Sequence, residues 1–151
     1  MLRTDHTVFP VWKPRASLEF YRDVMGLPLV DTLSGPDWGG YPWLMMIFAT
    51  GDGREVVLVH LKGARRPPKD KPGDVRHIAF AERTVARLEG WRRTLKAAKI
   101  AWWEESHGRR RSLYFEDPNG MILEITAPPS RPVRRESAKA LAAARKWIAR
   151  A

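Results

Sequence analysis

The two halves of this 151-residue chain repeat one order of predicted elements, and this internal repeat restricts the possible folds more than any other feature. In residues 5–62, a strand over DHTVFPVW precedes a helix over PRASLEFYRDVMG and three strands, LPLVDTL, WLMMIFAT and EVVLVHL. In residues 75–127, a strand over VRHIAFA precedes a helix over TVARLEGWRRTLKAAK and three strands, IAWWEES, RRSLYFE and GMILEIT. Each half is therefore a β-α-β-β-β module, and two such modules must bury their sheets against each other.

The segments between and after the modules have a different composition. Residues 63–74, GARRPPKDKPGD, combine glycine, proline and charge without apolar periodicity, which predicts an exposed connector. We therefore predict one domain over residues 1–130. Residues 131–151 predict a basic, amphipathic helical tail that packs on the domain or on a second subunit. The alternative for the tail is an arm that binds an anionic membrane or nucleic acid.

Composition limits the chemistry and the partners. The chain has no cysteine, so disulfides, thiolate metal ligands and a cysteine nucleophile are excluded. A net charge of +10 favours anionic partners, but no nucleic-acid-binding motif accompanies the basic residues, so nucleic acid is not the expected partner. No apolar segment is long enough for a signal peptide or a membrane span, which predicts a cytoplasmic protein without membrane attachment.

The repeat also aligns potential metal ligands. His6 and His77 lie in the first strands of the two modules, while His60 and Glu124 lie in the closing strands. A glutamate among the aliphatic residues of MILEI is costly to bury unless a cation or a hydrogen-bond partner holds it. These four side chains are therefore the candidate ligands of a metal ion.

Over residues 5–127, the chain resembles the vicinal oxygen chelate superfamily, which includes glyoxalase I, fosfomycin- and bleomycin-resistance proteins and type I extradiol dioxygenases. The resemblance rests on the His6 strand, SLEFYRDVMGL, VRHIAF and LYFEDPNGMILEI. It implies an α+β fold in which paired βαβββ modules form a cupped, barrel-like mixed sheet around one divalent metal, followed here by the C-terminal helix. It also implies His6, His77 and Glu124 as metal ligands, with His60 as a possible fourth ligand.

Within this superfamily, the second module resembles the extradiol dioxygenase pattern. The matching positions are His107, Leu113-Tyr114, Asp117-Pro118, Gly120 and Glu124. Glu105 departs from the pattern, which prefers a small or aliphatic residue two positions before the histidine. The resemblance implies that Fe(II) and O2 open the ring of a catechol, with Tyr114 as a hydrogen-bond donor and His60 or His107 transferring protons. Two histidines and one carboxylate suit non-haem Fe(II), although Mn(II), Zn(II) or Ni(II) use similar ligands.

Three alternatives follow from other members of the superfamily. Glyoxalase-like isomerases use a glutamate on the closing strand of module one, where this chain offers His60. Fosfomycin-type transferases place a polar residue two positions after the first ligand, which is Val8 here. Bleomycin-resistance-like proteins bind a drug in an aromatic cleft without metal. We expect a homodimer and an aromatic or anionic small-molecule substrate, with Trp103 and Arg111 as substrate-binding residues.

Overall fold

The computed structural model describes residues 4–68, 76–129 and 137–149. Residues 1–3, 69–75, 130–136, 150 and 151 lie outside the described residues, and they include residues 69–74 of the predicted connector and residues 131–136, 150 and 151 of the predicted tail. The bounds of module one are β1 (His6–Pro10), α1 (Pro14–Glu19) with a π-helical turn (Phe20–Val24), β2 (Leu29–Trp38), β3 (Tyr41–Ala49) and β4 (Glu55–Leu61). The bounds of module two are β5 (His77–Ala81), a 3₁₀ turn (Val85–Arg87), α2 (Leu88–Ala97), β6 (Trp102–His107), β7 (Arg110–Glu116) and β8 (Ile122–Ala127). A C-terminal helix, α3, spans Ala138–Ile148.

Each module forms its own four-stranded mixed sheet. The strand orders are β1-β4-β3-β2 and β5-β8-β7-β6, so the two sheets have the same topology. In each sheet the first and last strands of the module are parallel, and the other neighbours are antiparallel. The predicted α+β fold of paired βαβββ modules with a C-terminal helix is therefore confirmed.

Helix α1 with its π-helical turn and helix α2 lie between the two sheets. Phe20 of the π-helical turn contacts Phe115 of β7, with 6.4 Å between ring centroids, while the adjacent Tyr21 contacts Phe48 of β3 at 5.7 Å. Leu88 and Leu95 of α2 are fully buried in the same core. Because one helical segment touches both sheets, each sheet turns one face inward to this shared layer and the other face outward.

The Asp-Pro-Asn-Gly turn between β7 and β8 ties module two to module one. The Asn119 side-chain oxygen accepts hydrogen bonds from the backbone N–H groups of Trp12 and Lys13, at 2.9 and 3.1 Å. Its amide nitrogen donates to the Ser17 hydroxyl at 2.9 Å. From the sequence alone, the turn is expected only to set the angle of the closing strand. The structure gives it a second role, because each of these bonds crosses between the modules.

The described large apolar side chains of helix α3 are exposed to solvent. Leu141, Trp147 and Ile148, from its predicted apolar stripe, are 40%, 77% and 70% exposed. These exposures do not support packing on its own domain, and packing on a second subunit stays a prediction. None of the helices within the described ranges is long and apolar enough to cross a membrane.

Candidate metal centre

Two of the three predicted ligands meet on the outward face of the module-two sheet. Nε2 of His77 on β5 lies 3.0 Å from Oε2 of Glu124 on β8. The register explains this approach, since His77 pairs with Ile122 and Ala79 pairs with Glu124 in parallel strands. The Glu124 side chain is 10% exposed and that of His77 is 37% exposed, so the pair borders solvent.

A serine holds the second oxygen of the Glu124 carboxylate. The Ser112 hydroxyl of β7 donates a 2.6 Å hydrogen bond to Glu124 Oε1, and the Thr126 hydroxyl lies 3.0 Å from Ser112 Oγ. The sequence predicted that a buried Glu124 needs a partner, and the structure supplies Ser112 as well as His77. Ser112 was not predicted from the sequence, although Ser112 and Tyr114 must share one face because side chains alternate along a strand.

Tyr114, another predicted site residue, lies beside this pair. It is opposite Glu124 in the antiparallel β7–β8 register, and its ring packs edge-on against His77 with 5.7 Å between centroids. Burial, and secondly the negative charge of Glu124, raise the pKa of Tyr114. The hydroxyl therefore keeps its proton at neutral pH and is available as a hydrogen-bond donor.

Trp103 and His107 of β6 extend the same face. Trp103 stacks on Tyr114 with 5.3 Å between centroids and an interplanar angle of 16°. Nε2 of His107 lies 3.4 Å from the Tyr114 hydroxyl. The structure thus brings together five of the predicted residues, namely His77, Trp103, His107, Tyr114 and Glu124.

His6, the remaining predicted ligand, lies on the other sheet. Its Nδ1 is 2.8 Å from the Asp5 carboxylate, which leaves Nε2 for another partner, an arrangement common among metal-binding histidines. Asp5 was not singled out in the sequence, although it directly precedes His6. In the register of β1 and β4, His6 shares its face with Val8 and Val57, and Val57 is buried outside the shared core.

The two outward faces of one chain point away from each other, because the helices separate the sheets. Consistent with this arrangement, residues 4–68, 76–129 and 137–149 contain no group of three or more His, Asp or Glu side chains that could hold one metal ion. A single chain therefore groups His77 with Glu124 but does not bring His6 to them.

His60 does not occupy the place predicted for it. The strand register pairs His6 with Glu55 and His77 with Ile122, so the counterpart of Glu124 in module one is Val57. His60 faces the helical layer with Val56 and Leu58, and its Nδ1 lies 3.0 Å from the Val11 carbonyl oxygen. This contact assigns His60 to the core side of β4, away from both outward faces.

Arg111, predicted to bind substrate, lies on the inward-facing side of β7, where it pairs with Ala127 of the buried core. Its neighbour Arg110 shares the outward face with Ser112 and Tyr114 and is paired with His107 in the β6–β7 register. The sequence run of three arginines could not distinguish these positions, because a shift of one residue along a strand changes the face.

The comparisons with known proteins agree with this architecture. Residues 3–125 match the model of the Glyoxalase/Bleomycin resistance protein/Dioxygenase superfamily. MhqA of Bacillus subtilis, which is provisionally named a ring-cleaving dioxygenase, is 28% identical to this chain over 86 residues. That match covers 54% of this chain and only 27% of MhqA, so the two proteins differ greatly in length.

Solved structures share the fold at low identity. A glyoxylase/bleomycin resistance protein/dioxygenase domain from Frankia superposes with a TM-score of 0.69 and 18% identity, covering 85% of this chain and 99% of that one. A point mutant of the fosfomycin resistance protein FosX of Listeria monocytogenes was solved with Mn(II) and 1S,2S-dihydroxypropylphosphonic acid. It superposes with a TM-score of 0.64 and 16% identity, covering 85% of this chain and 94% of that one. Since the family model spans most of the sequence, the chain belongs to the Glyoxalase/Bleomycin resistance protein/Dioxygenase superfamily.

Proposed function

We propose that this protein is a metal-dependent enzyme that cleaves the ring of a catechol-type substrate with O2, using Fe(II). The observation that carries the proposal is the His77–Glu124 pair, 3.0 Å apart on an outward face and flanked by Tyr114. We further propose that His6 of a second chain completes the ligand set, so that the active protein is a homodimer.

The donor atoms of the pair fit a metal ion. Ligand atoms about 2.1 Å from a metal and at right angles to each other are about 3.0 Å apart, which is the separation of His77 Nε2 and Glu124 Oε2. The Ser112 hydrogen bond holds Oε1 and orients Oε2 towards the histidine. A third ligand from His6 would give two imidazoles and one carboxylate, which suits Fe(II) and leaves positions for substrate. Mn(II), Zn(II) and Ni(II) remain alternative ions for the same ligands.

A second chain is a reasonable source of His6 because both outward faces are exposed in one chain. The outward face of module one is largely apolar, with Val8 and Leu33 each 47% exposed, and a two-fold axis can place this face over module two of the partner. The same axis forms two equivalent centres. His6 remains accessible for such a contact, with 51% of its side chain exposed.

The other residues of the face have roles that follow from their contacts. Bound Fe(II) would hold a diol and O2 together and change their electronic state. Tyr114, protonated at neutral pH, would donate a hydrogen bond to substrate. His107 would exchange protons beside it, a function suited to imidazole. Trp103, stacked on Tyr114 and 43% exposed, would pack against the substrate ring.

The alternatives have less support from the side chains present. A glyoxalase-like centre needs a fourth ligand on the closing strand of module one, where the counterpart of Glu124 is Val57, which has no donor atom. A fosfomycin-type transferase lacks its polar residue at Val8. A metal-free drug-binding protein is the second candidate, because Trp38 and Trp43 form an edge-to-face pair on module one, with 5.4 Å between centroids.

Metal binding tests the ligand assignment. The purified protein is titrated with Fe(II) under anaerobic conditions and with Mn(II) by calorimetry. We expect His77→Ala to weaken binding by at least about 100-fold, since a ligand change should exceed the effect of changing a residue that only orients a ligand. The matched control is His60→Gln, which removes an imidazole from the inward side and should leave metal affinity unchanged. Unaltered affinity in His77→Ala would disprove the centre.

A substrate panel then tests the reaction. The Fe(II)-loaded protein is mixed with catechols carrying neutral or carboxylate substituents, and oxygen uptake and the yellow ring-opened product are recorded. Metal uptake without oxygen consumption on any catechol would contradict the dioxygenase assignment while leaving the centre in place. Absence of metal uptake, together with tryptophan quenching by planar drugs, would favour the metal-free binding protein.

A further inference from the structure

Four side chains on the outward face of β6 and β7 form a closed ring of contacts. Trp103 stacks on Tyr114, and the Tyr114 hydroxyl lies 3.4 Å from His107 Nε2. The same His107 nitrogen lies 3.2 Å from Oε2 of Glu105. The ring is closed by Trp103, whose indole N–H donates to Glu105 Oε1 at 3.2 Å.

Strand geometry explains why Glu105 can reach both Trp103 and His107. Positions 103, 105 and 107 lie on one face of β6 because side chains alternate along a strand. Glu105 is therefore flanked by an indole on one side and an imidazole on the other, and its two oxygens reach one each. This is the position at which the sequence departs from the extradiol pattern.

From these contacts we infer that Glu105 is a positioning residue of the proposed active site. The inference rests on the proposed function, because it concerns the residues assigned there to substrate binding and proton transfer. Trp103, His107 and Glu105 are about half exposed, and such side chains otherwise sample several rotamers. Hydrogen bonds to a carboxylate are stronger than those between neutral groups, so Glu105 favours one arrangement of both neighbours.

Glu105 also determines which nitrogen of His107 carries the proton. A carboxylate only accepts hydrogen bonds, so a neutral His107 that faces Glu105 through Nε2 must carry its hydrogen on that atom. The Tyr114 oxygen, which is near the same Nε2, then acts as an acceptor towards His107. Its own O–H is consequently directed away from His107, to the side where Glu124, Ser112 and a bound substrate can interact with it. Without Glu105, His107 can adopt the other tautomer and accept the Tyr114 proton, which turns the donor away from substrate.

The test uses the tautomer of His107 as its primary readout, because this needs neither metal nor turnover. Two-bond proton–nitrogen correlation spectra of the ¹⁵N-histidine-labelled protein are recorded at about pH 8.5, where an ordinary imidazole is neutral. We expect the Nε2–H tautomer in the wild type and a substantial shift towards Nδ1–H in Glu105→Ala. Glu105→Gln should lie between them, because its amide keeps only one acceptor oxygen.

The matched control is Glu104→Gln, which makes the same charge change one residue earlier. Glu104 faces the other side of β6, where Arg92 binds both of its oxygens at 2.8 Å. The Glu104→Gln protein should retain the wild-type tautomer. An unchanged tautomer in Glu105→Ala would overturn the inference, and so would an equal shift in Glu104→Gln.

If the protein has ring-cleaving activity, Glu105→Ala should lower kcat about tenfold with a smaller change in KM, because the substrate still binds while the donor is misdirected. A change in KM alone would overturn the positioning role. Failure of the proposed function gives a different result, in which the wild type consumes no oxygen while the tautomer shift persists. Urea denaturation of each variant confirms that it is folded.

Discussion

At the scale of single residues, the hydroxyl of Tyr21 is buried at the junction of the two modules. Tyr21 is fully buried, and its O–H donates to the Asp117 carboxylate at 3.3 Å. Burial is the main cause that raises the pKa of Tyr21 well above its ordinary value, and the charge of Asp117 adds to it. The folded protein therefore keeps this proton at pH values at which an unfolded chain releases it.

This shift predicts how stability depends on pH. Below about pH 10 both states hold the proton, and the contribution of Tyr21 is fully present. Above that pH only the unfolded state ionises, so the free energy of unfolding falls by up to about 1.4 kcal/mol per pH unit from this group. Tyr21→Phe, which we expect to be about 1 kcal/mol less stable near pH 8, lacks this dependence.

Urea unfolding of both proteins between about pH 8 and pH 11 measures the difference. Other groups titrate in both proteins, so their effects cancel in the comparison. The gap in the free energy of unfolding should narrow as the pH rises above the ordinary tyrosine pKa. Parallel curves would contradict the burial argument, because they would mean that Tyr21 ionises equally in both states.

The sequence reveals individual residues where their chemistry is unusual for their surroundings. Glu124 stands among aliphatic residues, and from that alone a buried partner is expected; Ser112 and His77 provide it. Asn119, by contrast, looks like an ordinary turn residue, and its bonds to Trp12 and Lys13 join positions more than 100 residues apart in the chain. No local pattern encodes such a contact.

At the scale of elements, the large apolar side chains described for the C-terminal helix are not buried against the domain. Leu141, Trp147 and Ile148 are all exposed. We therefore expect a protein ending at residue 129 to melt within about 3 °C of the full chain, since a loss of 1 kcal/mol shifts Tm by only a few degrees in a domain of this size. Calorimetry of the two proteins measures the shift.

A matched variant separates the apolar side chains from the rest of the tail. Trp147→Ser in the full-length protein should likewise leave Tm unchanged at low protein concentration. If either change lowers Tm by more than about 8 °C, the helix must contribute a stabilising contact, and the expectation is wrong.

The order of elements is more predictable than their register. Repeated periodicity predicted both modules, whereas His60 was matched to Glu124 only because both lie in closing strands. Counting four residues from the glycine of each preceding turn, Gly53 or Gly120, gives Val57 and Glu124, in agreement with the observed pairing. The turn glycines therefore indicate the correct alignment of the two closing strands. Matching Glu124 with His60 instead of Val57 is an error of three positions, and an odd shift along a strand changes the face.

At the scale of the whole molecule, the repeat predicts that two sheets share a core but not which faces they bury. Both faces of the module-one sheet carry apolar residues, since Val57 and Val59 are buried on the outward side while Val56 and Leu58 join the core. The choice is made by contacts between distant segments, such as that of Phe20 with Phe115. This choice of buried faces places His6 and His77 apart within one chain. The proposed centre therefore depends on how two chains associate.

Mixed dimers test whether the centre uses two chains. His6→Ala and Glu124→Ala should each abolish metal binding as homodimers. In a heterodimer of the two variants, the intact His6 of one chain meets the intact His77 and Glu124 of the other, so one of the two centres is restored. Co-expression with random pairing should therefore recover about one quarter of the wild-type metal content.

Purification of the heterodimer through two different affinity tags raises this recovery to about one half, measured as metal per dimer and, where a substrate is known, as activity. The control is a heterodimer of His77→Ala with Glu124→Ala. Those two ligands come from the same chain, so each centre lacks one of them and neither is restored. If the centre instead formed within a single chain, each chain of the first heterodimer would lack a ligand and metal would be absent. The two-chain centre therefore requires recovery in the first pair and its absence in the second.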